Sequence, residues 1–252
     1  VIDCVVLAGT GKESALTIAE NVKNKAFIEI NGRTLLDYSL EALRAVSQID
    51  RIAVVGPQSK LTSFTDRYRI LTVPEAGSIL DNIFAGFNAL KPTGYFLVVA
   101  ADIPLLSALA VEDFIQQCSP YQFDFYYPII GREDNERRFP GVTRTYVKVK
   151  EGVFTGGNLF LVNSDKVKGG LPLVNKFIEM RKSPIKLAAI LGFRFIVKYL
   201  SRRLTIKELE NRVSILLGIR GKAVISRYPE IGTDVDKPSD LEIMRRELSP
   251  PL

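Results

Sequence analysis

Five apolar runs separated by segments of helical spacing fill the first 130 residues, and this rhythm restricts the fold more than any other feature. The runs are residues 2–8 (IDCVVLA), 51–55, 70–73, 95–101 (YFLVVAA) and 123–130. They are short, continuous and bounded by turn signals, which predicts strands buried on both faces. Residues 37–46 carry leucine and alanine at helical spacing. Residues 78–90 place Ile79, Ile83, Phe84 and Phe87 on one helical face, and Ser107 or Ala108 opens a third helix to about residue 118. Buried strands joined by helices imply a mostly parallel sheet covered on both sides, a doubly wound, Rossmann-like α/β fold. Of the 252 residues 46% are hydrophobic, enough for such a core.

After residue 130 the rhythm changes. Residues 131–140 read as a polar loop, 143–150 (TRTYVKVK) as an alternating strand and 158–162 as another strand. Residues 173–217 read as mostly helical, 223–226 as a last strand, and Pro238 opens a closing helix to about residue 247. The expected organisation is one α/β domain, residues 1–163 and 222–252, with a basic helical insert, 164–221, packed on it. Residues 165–212 hold twelve Lys/Arg against four Asp/Glu, within a net charge of +6. That block is either a site for an anionic partner or the wet face of surface helices. Its segment 186–203 (KLAAILGFRFIVKYLSRR) reads first as a cap or homodimer helix and second as a membrane-surface segment. It lacks the regularly placed aromatics of a nucleic-acid binder, so no nucleic-acid partner is expected.

Histidine is absent. That excludes Ser-His-Asp and Cys-His catalysis, His-ligated zinc or haem, and a histidine pH switch. The two cysteines, Cys4 and Cys118, are not expected to pair, because Cys4 lies in a buried run. With no signal-peptide pattern and no long uncharged apolar run, a reducing, cytoplasmic setting is the expectation.

In an open parallel sheet, ligands bind at the carboxyl ends of the strands, where strand order reverses. The first such end carries Leu7-Ala8-Gly9-Thr10-Gly11-Lys12. Its glycines let backbone N–H groups approach phosphate, although neither the P-loop nor the GxGxxG spacing is present. The fourth carries Asp102 before Ile103-Pro104. Ser107 is the better cap for the next helix, which leaves that carboxylate available. Asp234 and Asp236 precede the closing helix, where capping competes for Asp236. Asp102 and Asp236 are candidates to share one Mg²⁺, with Asp234 a third.

These segments together resemble the nucleotidyltransferases of the molybdenum cofactor guanylyltransferase type. The resemblance rests on residues 5–9, 25–38 (KAFIEINGRTLLDY), 99–104 (VAADIP) and 234–241 (DVDKPSDL). Sugar-phosphate and methylerythritol-phosphate nucleotidyltransferases share the plan, a nucleotide-diphospho-sugar transferase-like fold. The resemblance implies that Leu7, Ala8, Gly9, Thr10, Gly11 and Lys12 surround the nucleotide, Lys12 standing in for the family's loop arginine. It implies that Lys25 neutralises phosphate charge, and that Asp102 and Asp236 are the metal ligands. Pro74, Ser78 and Asn82 would lie along the base and ribose. Gly156, Gly157 and Asn158 would lie by the acceptor. Arg138 and Arg144 are added as candidate acceptor-phosphate contacts from charge and location.

The implied reaction moves a nucleoside monophosphate from a nucleoside triphosphate to an acceptor, releasing pyrophosphate. A phosphate-monoester acceptor, with its second pKa of about 6, is already ionised at neutral pH and needs no general base. The lack of histidine therefore favours a pterin, sugar or alcohol phosphate. The alternatives are a metal-dependent glycosyltransferase, for which Asp234-Val235-Asp236 spells Asp-x-Asp, and a nucleotide-binding regulatory module without turnover.

Overall fold

The structure, a computed structural model, describes residues 1–11, 13–167 and 192–249. Strand β1 (Ile2–Leu7) runs through the main sheet between β4 (Ile49–Gly56) and β6 (Tyr95–Ala100), with β5 (Leu71–Pro74) outside β4. These four are parallel. The sheet continues through β10 (Leu159–Asn163), β7 (Phe125–Gly131), β9 (Gly152–Gly156) and β8 (Val147–Val149). Here β10 is antiparallel to β6 and β7, and β9 to β7 and β8. Strand β11 (Gly221–Ser226) adds in parallel to β7. The expected mostly parallel, doubly wound sheet therefore forms, with an antiparallel patch on one side. A separate hairpin joins β2 (Glu29–Ile30) to β3 (Arg33–Thr34).

The central strands feed two cores by simple alternation. Cys4 and Val6 point into one cluster while Val5 points into the other; Leu97 and Val99 oppose Phe96 and Val98 in the same way. Helices α2 (Leu35–Arg44), α3 (Gln58–Tyr68) and α5 (Ala108–Cys118) cover the first face with Leu40, Leu61 and Phe114. Helix α4 (Ile79–Leu90) covers the second with Ile83, Phe87 and Leu90. It packs so closely that a Cβ on Gly86 would stand 2.5 Å from Val5 Cγ1. Ser107 caps α5 through the Ala110 N–H. Cys4 and Cys118 are buried free thiols.

A third, smaller core decides where the chain's end goes. Leu16 of α1 (Ala15–Ala19), Ile28, Ile30 and Leu35 pack with Val235 and with Leu241 and Met244 of the closing helix, Pro238–Glu247. This cluster draws residues 235–244 onto the segment that follows the first loop.

Two expectations change. Residues 131–140 are not a loop throughout, because α6 spans Arg132–Arg138. Glu133 and Asp134 lie in its first turn and Arg137 and Arg138 in its last, and Arg132 pairs with Glu136 at 2.6 Å. Charge order rather than an apolar stripe supports it, so hydrophobic periodicity missed it. The strand expected over 143–150 shortens to β8, since Arg144 turns away to bind Asp234. In the insert, the described helices are α7 (Ser164–Val167), α8 (Phe193–Leu200) and α9 (Ile206–Leu217). The helix expected over residues 173–191 lies outside the described residues. Among the described residues no helix is long and apolar enough to cross a membrane.

Candidate active site

Strand order reverses between β1 and β6, and the candidate residues gather at the carboxyl ends of these strands. Backbone bonds tie the segments together. Ala101 N–H donates to Leu7 O at 3.1 Å, and Val235 N–H donates to Asp102 O at 3.0 Å. Buried Asn24 completes the frame: its Nδ2 donates to Ala8 O at 2.8 Å and its Oδ1 accepts the Ala26 N–H at 2.9 Å. Asn24 so caps the 3₁₀ turn Lys25–Phe27 and fixes the direction in which Lys25 leaves the backbone.

The Lys25 ammonium lies 2.7 Å from Asp102 Oδ2, 2.6 Å from Asp236 Oδ1 and 3.1 Å from Val235 O. Burial by itself lowers a lysine's proton affinity. Here the two carboxylates outweigh it and hold the ammonium above the ordinary lysine range. The competing capping role at the closing helix is taken by Asp240, whose Oδ2 accepts the N–H groups of Asp236 and Lys237 at 3.1 and 3.0 Å.

Asp102, Asp234 and Asp236 place carboxylate oxygens within 4.8 Å of one another. An all-oxygen set of this kind suits a hard divalent cation. The fit has a second sign in the structure, since an ammonium already bridges two of the three acids. Arg144 serves the third: its Nη1 donates to Asp234 Oδ1 at 2.5 Å and its Nη2 to Asp234 O at 2.6 Å. The Arg144 side chain is only 7% exposed, and its Nε is buried without a hydrogen-bond partner among the described residues.

The first loop packs against residues 74–82. A Cβ on Gly9 would stand 2.7 Å from Asn82 Nδ2, so a larger residue there would have to displace the Asn82 amide. Asn82 Oδ1 accepts the Ala76 N–H at 2.6 Å. Glu75, next to Pro74 at the end of β5, accepts from the Thr10 N–H and, at 3.0 Å, from Thr10 Oγ1. Ser78 is engaged with Asp81 as the cap of α4. Gly11 follows in the loop, and Lys12 lies outside the described residues. Across β6, Asn158 O accepts the Ala100 N–H at 2.9 Å and Gly157 N–H reaches Pro128 O at 2.9 Å. Gly156, Gly157 and Asn158 therefore join β9 to β10 beside the end of β6. Arg138 is in an exposed pair with Glu247 at 2.5 Å.

Two residues escaped the sequence reading. The signal for Glu75 is a carboxylate directly after a strand. Asn24 precedes Lys25 as an Asx cap, a cue visible only once a turn is expected there.

Topology and the acid–lysine cluster together define an α/β transferase built to handle a phosphate-rich nucleotide. The chain belongs to the family described as MobA-like NTP transferase domain, whose model matches residues 4–168, and it is an enzyme with nucleotidyltransferase activity. It is 36% identical to a hypothetical transferase from Thermus thermophilus, with a TM-score of 0.81, covering 95% of this chain and 99% of that one. It also superposes on a CMP:2-keto-3-deoxy-manno-octonic acid synthetase complexed with CTP (13% identity, TM-score 0.62, 98% of each chain). A 4-diphosphocytidyl-2C-methyl-D-erythritol synthase from Anaerococcus prevotii is similar too (15% identity, TM-score 0.61, 98% of this chain and 95% of that one). These last two likenesses are of fold. No curated protein matches the sequence.

Proposed function

We propose that the enzyme transfers a nucleoside monophosphate from a nucleoside triphosphate to a phosphorylated small molecule, with Mg²⁺, and releases pyrophosphate. The observation that carries this reading is the Lys25 ammonium seated between Asp102 and Asp236 at the switch point of the sheet. Phosphoryl chemistry of this kind asks for positioning and charge neutralisation more than for covalent help. Bound Mg²⁺ would supply Lewis-acid polarisation of phosphate oxygens. Asp102 and Asp236 would hold it, with Asp234 beside them under the Arg144 clamp.

The chain's own part follows from its residues. Leu7, Ala8, Gly9, Thr10 and Gly11 form the wall along the triphosphate. Lys25 counters charge at the α-phosphate as the acceptor oxygen attacks. Pro74, Ser78 and Asn82 border the base and ribose. Gly156, Gly157 and Asn158 receive the acceptor, whose ionised phosphate attacks without a general base. No histidine exists to act as one.

The test is a panel of nucleoside triphosphates with Mg²⁺ and phosphorylated acceptors, reading pyrophosphate. Release with one pair, abolished in a folded Asp102→Ala variant, is the expected result. Wild-type rates in that variant would overturn the metal assignment. Release of a nucleoside diphosphate from a nucleotide sugar would replace the reading by glycosyl transfer.

A further inference from the structure

The β8–β9 turn, the connection from α8 to α9 and the first turns of α9 line an open concavity of about 530 Å³. Lys150, Arg202, Arg203 and Lys207 line it, and none of these four cations has a carboxylate partner among the described residues. Glu208 also lines it, with its charge countered by Lys198. Glu208 binds Lys198 and the Thr205 N–H, and Glu151 accepts the Ile206 N–H at 3.1 Å. The N–H groups of Thr205 and Ile206 at the start of α9 are thereby satisfied, and the four cations give the cavity its positive character.

The walls are held in place. Lys150 N–H donates to Leu204 O at 2.7 Å, and Leu204 is buried. Arg202 adopts φ 58°, in the left-handed region that favours glycine, and the turn presents Arg202 and Arg203 consecutively. Strand β9 starts two residues after Lys150 and ends at Gly156, so about 15 Å of extended chain separates the cavity from the 156–158 loop.

We propose that this cavity is a second anion site, taking a phosphate ester or polyphosphate by charge-assisted bonds from Arg202, Arg203, Lys150 and Lys207. Paired guanidinium forks match phosphate oxygens, and unpaired cations facing one concavity attract a multiply charged anion. The volume suits a small organic phosphate. The same chemistry reaches the site from two sources, a free phosphate or the headgroup of an anionic lipid. Exposed Val197 and Leu200 on α8 lie just before the arginines and give the second source an apolar foothold.

Hydrogen exchange of the full chain, read over residues 201–211, tests this. The probes are pyrophosphate in EDTA and vesicles with or without phosphatidic acid, against chloride of matched ionic strength. Slowed exchange with pyrophosphate assigns a free phosphate, and slowed exchange with phosphatidic acid vesicles alone assigns a headgroup. Either effect is expected to vanish in an Arg202→Ala/Arg203→Ala variant and to weaken in Lys207→Ala. Residues 7–11 report separately on binding at the strand ends. No protection from either source, equal protection by chloride, or protection unchanged in the double variant would overturn the proposal.

Discussion

Lys25 Nζ stands 2.7 Å from Asp102 Oδ2 across 77 residues of sequence, and it reaches Asp236 Oδ1, 211 residues away, at 2.6 Å. One ammonium thus offsets the mutual repulsion of two carboxylates. It occupies the charge environment that a divalent cation would seek, so lysine and metal compete for the same acids.

Removing that competitor separates the two roles of Lys25. In Lys25→Met, Mg²⁺ or Mn²⁺ should bind the nucleotide-free protein about tenfold more tightly, ~1.4 kcal/mol. Turnover should fall about 10²–10³-fold, as for loss of one preorganised charge donor. Titration calorimetry and steady-state kinetics read the two effects. Weaker cation binding in the variant would show that Lys25 supports the acids rather than competing for them.

Arg144 clamps both the side chain and the backbone carbonyl of Asp234, and it is nearly buried. Arg144→Met removes the cation that clamps Asp234 and should cost about 3–5 kcal/mol in urea unfolding. Adding Asp234→Asn to it should restore part of that loss, because the charge that Arg144 balanced is gone. A double variant as unstable as the sum of the singles would contradict the pairing.

Gly86 has no space for a methyl group, because Val5 Cγ1 and Cγ2 would lie 2.5 and 3.0 Å from it. Both partners belong to packed elements that cannot shift independently. Gly86→Ala should therefore destabilise by about 1–3 kcal/mol through overpacking, despite alanine's better helix propensity. Denaturant midpoints decide it, and a stabilised variant would mean that α4 can slide on β1.

Burial pushes the Cys118 thiol up from 9.0 to about 12. Between those values the native thiol keeps a proton that the unfolded chain releases. Stability should therefore fall as pH rises through that window, and the slope should flatten in Cys118→Ala. At pH 8 the thiol should resist iodoacetamide until the protein unfolds. Rapid labelling of the native enzyme would contradict its burial.

Much of the fold was legible because the relevant forces are local. Val5 and Val6 adjoin in a mostly apolar strand, and only a sheet covered on both faces can bury both. Ser107 as the cap of α5 was equally readable, since capping spans three residues. Helix α6 was not, because its support is a gradient of charge rather than a stripe of apolar side chains. Glu75 also escaped, since its partner Thr10 lies 65 residues away.

The sequence by itself determined the strands, most helices, the glycine turn and the identities of Lys25, Asp102 and Asp236 as residues worth watching, because periodicity, caps and motifs act over a few neighbours. Only the tertiary structure decided that one ammonium bridges both acids, that Asp240 rather than Asp236 serves the closing helix, and that Arg144 turns inward to Asp234. Those outcomes depend on the small core of Leu16, Ile28, Val235 and Met244 pulling the chain's end onto its beginning. Such burial sums weak contacts between residues remote in sequence, and no local pattern carries that information.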